Sequence, residues 1–262
     1  MTDHPIPFKA PMVRALIEGR KTQTRRVLKP QVYSLCRDQP NPGCWSDERW
    51  RCMYIGCWPD GLRSLQSPPY AVGDRLCVRE AWRTEPMHDT AAPRQLFPDV
   101  PLLFEADDPE RKLNTDLWGR LRPPLSMPRW ASRLTLYVTE VRVERVQDIS
   151  EEDAIAEGIV RKDPTPEDLE WYEGYAEENG VDPASAPMPP VWLAPGTRQG
   201  WGPRRNEPQW GATPQFAFRC LWDSINAKRG HPWDANPWTV AYTFNVVQQN
   251  IDAAEPLLAS EG

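Results

Sequence analysis

The chain has 262 residues, a formal net charge of -6 and a pI near 5.3. With a mean hydropathy of -0.65 and no apolar run near the roughly 18 residues of a membrane span, a membrane-embedded helical protein is excluded. Thirty prolines, roughly twice ordinary usage, argue against a bundle of long helices, and thirteen tryptophans argue against wholesale disorder.

In chain order, Met1 to Pro11 lacks the apolar stretch of a secretory signal, which predicts a cytoplasmic protein in a reducing compartment. Pro11 and Gly19 bracket a short helix in which Met12 and Leu16, and Val13 and Ile17, share faces at i, i+4 spacing. Residues 21–28 then read as an extended segment ended by Pro30. Residues 9–29 carry seven basic residues against Glu18 alone, so this end is locally +6 despite the acidic average.

Residues 31–70 are rich in Pro, Gly, Trp and Cys without periodicity and read as an insertion. Its thiols Cys36, Cys44, Cys52 and Cys57 are separated by seven, seven and four residues, without the close pairs of most zinc sites. They read as free thiols, with a structural zinc as the alternative and no other cofactor expected. From Gly73-Asp74 the pattern alternates through Leu76 and Val78 to Glu80 and Trp82, and Leu102 to Phe104 reads as a short strand.

Residues 133–146 form the longest predicted strand. Leu134, Leu136 and Val138 share one parity and Val141 and Val143 the other, which predicts a bulge near Thr139 and Glu140. A compact helix follows, N-capped by Ser150, with Asp153 at the capping-box position and Gly158 at its end. Residues 159–213 read as a second loop insertion, whose 163–182 stretch carries eight acidic and no basic residues. A helix over about 214–227, a strand over 238–247 and a flexible tail over 250–262 complete the chain. This order predicts an α+β fold, one domain over 1–249: a small, partly closed mixed β-barrel with short peripheral helices and two large loop insertions.

Two places carry candidate chemistry. A lysine beside a threonine hydroxyl can act as base for a nucleophile if burial or nearby cations depress its pKa, which makes Lys21 and Thr24 a candidate pair flanked by Arg20, Arg25 and Arg26. Three positions apart, they face opposite ways in a regular strand, so convergence requires Lys21 to lie in the turn. Glu157 closes a helix, where the negative end of the macrodipole disfavours ionisation and suits a proton donor. The bland readings are a basic edge strand and an exposed helix glutamate. Glu80 is a further candidate, its bland reading an ion pair with Arg79 or Arg75. Trp82, Trp130, Trp222 and Trp238 lie in patterned segments and read as core, whereas the insertion tryptophans are placed to stack on bases or pack under loops. No paired-His zinc motif, G-x-S-x-G elbow, P-loop or G-x-G-x-x-G is present, which removes several enzyme classes.

Taken together, Gly19-Arg20-Lys21-Thr22-Gln23-Thr24-Arg25, Gly73-Asp74-x-Leu76-x-Val78-Arg79-Glu80 and Ile149-Ser150-Glu151-Glu152-Asp153-Ala154-x-x-Glu157-Gly158 resemble the ASCH family of the PUA-like superfamily. Arg122 to Arg133 resembles the phage and prophage variety, which implies a bacterial host cell. The resemblance covers about half the chain, skips both insertions, and implies a PUA-like barrel with a nucleoside- or RNA-facing cleft. One branch is an amidohydrolase that removes the acetyl group from N4-acetylcytidine. Carried over position by position, its catalytic residues fall on Lys21, Thr24 and Glu157, with Arg20, Arg25, Arg26, Arg79, Glu80 and Trp82 as substrate-binding candidates. Two other readings stand beside this one. The first is a non-catalytic RNA- or nucleic-acid-binding module, or an ASCH-type ribonuclease, that holds phosphates on the 9–29 strip. The second is a phage protein that engages a host protein through the acidic insertion.

Overall fold

Proline hides the first element from a pattern reading. In the computed structural model, which describes residues 1–29, 68–107, 117–180, 182, 191–196, 210–211 and 213–254, Asp3–Pro7 is a strand, β1, despite Pro5 and Pro7. It pairs in parallel with Arg75–Arg79 (β3) at the edge of the sheet, where a missing N–H is tolerated because only one side needs donors. The helix α1, Ala10–Ile17, follows as expected, with proline in its first turn and Gly19 in the left-handed region at φ 72°. Its Met12, Val13 and Leu16 are buried against the sheet.

Gln23–Val27 forms β2, Thr135–Arg145 forms β6 and Trp238–Val247 forms β10; two short strands, β4 (Trp82–Arg83) and β5 (Leu103–Phe104), pair with each other. The main sheet has the order β1-β3-β6-β10-β2, every neighbour antiparallel except β1 with β3. Thr243 pairs with Glu140 but Phe244 pairs with Val138, which skips Thr139 and sets the bulge where the parity change in the sequence places it. The core unites Leu76, Val78, Leu136, Val138, Val240 and Phe244 with the α1 face. The strand pairs leave the sheet open between its edges β1 and β2. Across that opening Arg26 Nη2 of β2 donates to the Pro7 carbonyl of β1 at 2.9 Å. The architecture is thus α+β, a mixed multi-strand sheet with few short helices.

Glu151–Ala156 forms α2. The Ser150 hydroxyl accepts from the Asp153 amide at 3.1 Å, and Gly158 turns the chain at φ 96°. The reading of residues 159–213 as loop is corrected. Val160–Lys162 (β7), Val191–Leu193 (β8) and Trp210–Gly211 (β9) form a three-stranded antiparallel sheet, and Pro166–Asn179 is a 14-residue helix, α3. The strands are too short for alternation to register. α3 has almost no apolar face: Glu167, Glu170, Glu173, Glu177 and Glu178 are all exposed, and its signal is a capping box between Thr165 and Asp168. The helix α4, Pro214–Asn226, buries Phe218 and Trp222 in a second core cluster with Val146, Ile149 and Ile159.

The predicted flexible tail is corrected over its first residues. Asn250 donates to the carbonyls of Arg129, Trp130 and Ser132, Arg75 donates to those of Ile251 and Ala254, and Ile251 is fully buried. Among the described residues no helix is long and apolar enough to cross a membrane. Most of the 31–70 insertion, including Cys36, Cys44, Cys52 and Cys57, lies outside the described residues. Tyr70 at its end packs 5.1 Å from Tyr242, ring to ring, so the insertion rejoins the body there.

Candidate functional site

The site begins with the turn that joins α1 to β2. Gly19 N donates to Leu16 O, Arg20 N and Lys21 N both donate to Ala15 O, and Thr22 N donates to Ala156 O. These four bonds fasten the turn to the ends of α1 and α2 at once. Lys21 is therefore outside the ladder, bridged instead to Glu157, which satisfies the condition for Lys21 and Thr24 to face one space. The same bonds use every amide of the turn, so the turn has no free N–H with which to stabilise an oxyanion.

Lys21 is 1 % exposed and Glu157 3 %. The Lys21 ammonium donates to Glu157 Oε2 at 2.6 Å, to Gln23 O at 2.8 Å and to Glu157 O at 3.0 Å, which uses all three of its donors. The other Glu157 oxygen, Oε1, accepts the Arg25 amide at 2.5 Å. Burial pushes Lys21 below the ordinary lysine range, the Glu157 carboxylate opposes this, and Arg26 and Arg25 add only a small push in the same direction as burial. Of the two causes open to the sequence reading, burial is therefore the larger and the flanking arginines the smaller, and Arg20 is turned to Glu18.

Gly158 brings the two chains together. A β-carbon there would lie 3.1 Å from Pro195 Cγ, 3.3 Å from Ala15 Cβ and 3.4 Å from Lys21 Cβ, and its positive φ independently calls for glycine. Thr24, 4 % exposed, lines the same cleft, and among the described residues its hydroxyl has no hydrogen-bond partner. The cleft is ≈ 370 Å³ and sits at the opening between the sheet edges β1 and β2. Phe8 and the Phe218, Leu221, Trp222 and Ile225 stripe of α4 form apolar wall, and Lys9, Lys29 and Arg229 stand at the rim.

The arginines divide by role. The Arg25 guanidinium is wholly enclosed. It donates to Glu144 Oε1 of β6, to Asp153 Oδ2 of α2 at 2.7 Å and to Gln23 Oε1, with Phe218 5.9 Å below. Asp153 also accepts from Arg142 and Gln23; burial pulls its carboxyl up, but these bonds together hold it below the ordinary range. Arg25 also lines the cleft, but with its guanidinium enclosed it is a brace that fixes Glu157 through its own amide. Asp153 is likewise drawn into the brace rather than into the reciprocal half of its capping box. Arg20 points away, donating to Glu18 and to Gly158 O, and does not line the cleft. Arg26 does line it: its guanidinium lies 5.0 Å from the Phe8 ring centre.

Three substrate-binding candidates fall elsewhere. Glu80 is buried and receives a two-bond contact from Arg133, at 2.8 and 3.1 Å, rather than from Arg79 or Arg75; burial pushes its carboxyl up. Trp82 is fully buried in a third core cluster with Leu96, Met127 and Ala131, and the Arg122 guanidinium lies 5.2 Å from its ring. It has no face to offer a base. Arg79 donates to Leu125 O and does not line the cleft. Sequence reasoning passed over Phe8, Phe218, Trp222 and Arg229; the i, i+4 spacing of Phe218 and Trp222 marks a buried stripe but not that its end faces a cleft.

Among the described residues no group of three or more His, Cys, Asp or Glu side chains is placed to hold a metal ion. Comparison with family models, curated proteins and solved structures returns no match.

Proposed function

We propose that the chain is an amidohydrolase of ASCH type, on a PUA-like barrel, acting on an acylated base such as that of N4-acetylcytidine. The observation that carries the reading is the buried Lys21–Glu157 pair opening onto the same cleft as the unpartnered Thr24 hydroxyl. A buried lysine with a depressed pKa, a carboxylate 2.6 Å away and a free hydroxyl are the parts that acyl transfer needs.

The proton balance runs through the pair. Lys21 passes a proton to Glu157 Oε2 and, as the neutral amine, takes the Thr24 hydroxyl proton while Thr24 Oγ bonds to the amide carbon. The C–N bond breaks as Glu157 returns its proton to the leaving nitrogen, which leaves the acyl group on Thr24. Water then bonds to the acyl carbon and gives its proton to Glu157. Thr24 Oγ departs with the proton held on Lys21, and the pair regains its starting state. With the turn amides consumed, the Lys21 ammonium formed in the first step is left to offset the developing oxyanion.

The test is incubation of purified chain with N4-acetylcytidine, following cytidine release by chromatography. Release by the wild type, with about a hundredfold or greater loss in Lys21→Ala and Thr24→Val, is the expected result. No release, or equal release by Lys21→Ala, overturns the reading. The rim cations Lys9, Lys29 and Arg229 favour a second reading, a nucleic-acid-binding module without chemistry. It predicts binding that weakens steeply with salt and no turnover.

A further inference from the structure

The charges of the cleft do not cancel. Lys21 is matched by Glu157, and Arg25 by Glu144 and Asp153. Arg26 has no carboxylate within ion-pair distance among the described residues, although it is half-buried in the wall. Its Nη2 donates to Pro7 O at 2.9 Å, its Nε is sealed from solvent without a partner, and burial pushes its pKa below the ordinary arginine range. Lys9, Lys29 and Arg229 at the rim are exposed and equally without an acidic partner among the described residues. The one carboxylate in the lining is Glu157, which already accepts from Lys21 and the Arg25 amide. The cleft thus holds cations with no acidic partner among the described residues, which suits an anionic ligand.

We infer that the cleft takes its ligand in phosphorylated form, with the guanidinium of Arg26 anchoring a phosphate group, the exposed Arg229 and Lys29 beside it, and the apolar α4 wall of Leu221 and Ile225 receiving the base. This rests on reading the cleft as a nucleoside site and adds that the substrate carries a phosphate. The geometry ties the two functions to one ring. Phe8 lies 5.9 Å from Lys21 Nζ and 5.0 Å from the Arg26 guanidinium carbon, so the anion anchor and the reacting group flank the same side chain. Guanidinium suits the task because its planar donors match phosphate oxygens and its charge is weakly hydrated. Leu221 and Ile225, half-buried on α4, supply the apolar face that a planar base needs, and the core beneath them is fixed by Trp222, whose Nε1 donates to His231 O at 2.9 Å.

The experiment is calorimetric titration of the full chain with cytidine, cytidine 5′-monophosphate and a short single strand of deoxycytidine. The monophosphate is expected to bind about tenfold or more tightly than the nucleoside at low salt, the advantage shrinking as salt is added. The strand assigns the source: binding at least as tight as the monophosphate marks a phosphodiester of a polymer, and weaker binding marks a terminal phosphate. Arg26→Gln should abolish the preference. Because Arg26 also holds Pro7, the exposed double variant Lys29→Gln/Arg229→Gln is run in parallel, and it should reduce the preference about threefold with an unchanged melting temperature. Equal affinity for nucleoside and monophosphate, or a preference untouched in both variants, overturns the inference. Turnover of N4-acetylcytidine with no preference removes the phosphate subsite and leaves the amidohydrolase reading. The preference without turnover of any acetylated cytidine does the reverse.

Discussion

Lys21 and Glu157 are a buried pair whose members each depend on the other for compensation. Removing one leaves a charge in a place that water does not reach, which costs about 3–5 kcal/mol, whereas removing both costs less than the sum. Urea unfolding of Lys21→Met, Glu157→Gln and the double variant should therefore show a coupling energy of at least about 1–3 kcal/mol, and strictly additive losses would contradict the pair as drawn. The same pair sets an activity profile. The proposed cycle needs one proton shared between the two groups, and that proton is lost above the Lys21 pKa. Burial places this pKa below the ordinary lysine value of 10.5, so the alkaline limb of kcat/KM should fall below that value. A rate that keeps rising through it would remove Lys21 from the proton path.

At the scale of elements, Gly158 decides whether α2 can present Glu157 to the α1–β2 turn. Gly158→Ala meets both a positive φ and neighbours at 3.1–3.4 Å, so it should destabilise by about 1–3 kcal/mol and lower turnover by more than the stability loss explains. A melting curve and a rate taken well below the melting temperature separate the two effects; a variant with normal values for both would show that the close approach is unimportant. Much of this architecture is legible in the chain. The helix between Pro11 and Gly19, the Ser150 cap, the parity change at Thr139 and the need for Lys21 to leave the ladder are local, and local spacing reports them. What escapes has a physical reason each time. β1 carries two prolines that only an edge position permits, and α3 has almost no apolar face. The Arg25 brace joins β2 to β6 and α2 across 119 and 128 residues, so no spacing reveals that this arginine's guanidinium is tied to carboxylates while that of its neighbour Arg26 is not.

Across the whole molecule the net charge of -6 misdescribes the surface that matters. Most of the acid of residues 163–182, Glu167, Glu170, Glu173, Glu177 and Glu178, is exposed on α3, whereas the cleft presents cations. The carboxylates that hold the fold together are a separate set, and acid should reveal them. Asp3 lies below the ordinary value of 3.8, chiefly through the Arg75 hydrogen bond, and Asp153 lies below it because its bonds to Arg142, Gln23 and Arg25 outweigh its burial. Each has a folded pKa lower than its unfolded one, so the unfolded chain binds more protons in that window, and stability falls as pH drops through 3.8 toward the folded values. Glu80 works with the opposite sign. Burial raises it above 4.5, the folded state takes up its proton first, and acidification from neutral pH relieves that buried charge before the aspartates begin to fail. Stability followed by denaturant midpoint should thus hold or rise slightly toward mildly acid pH and fall only below about 4. Asp153→Asn, less stable at neutral pH because Arg25 and Arg142 lose a charged partner, should show a shallower fall below pH 4 than the wild type. Curves of equal slope would mean that the brace is not what acid breaks.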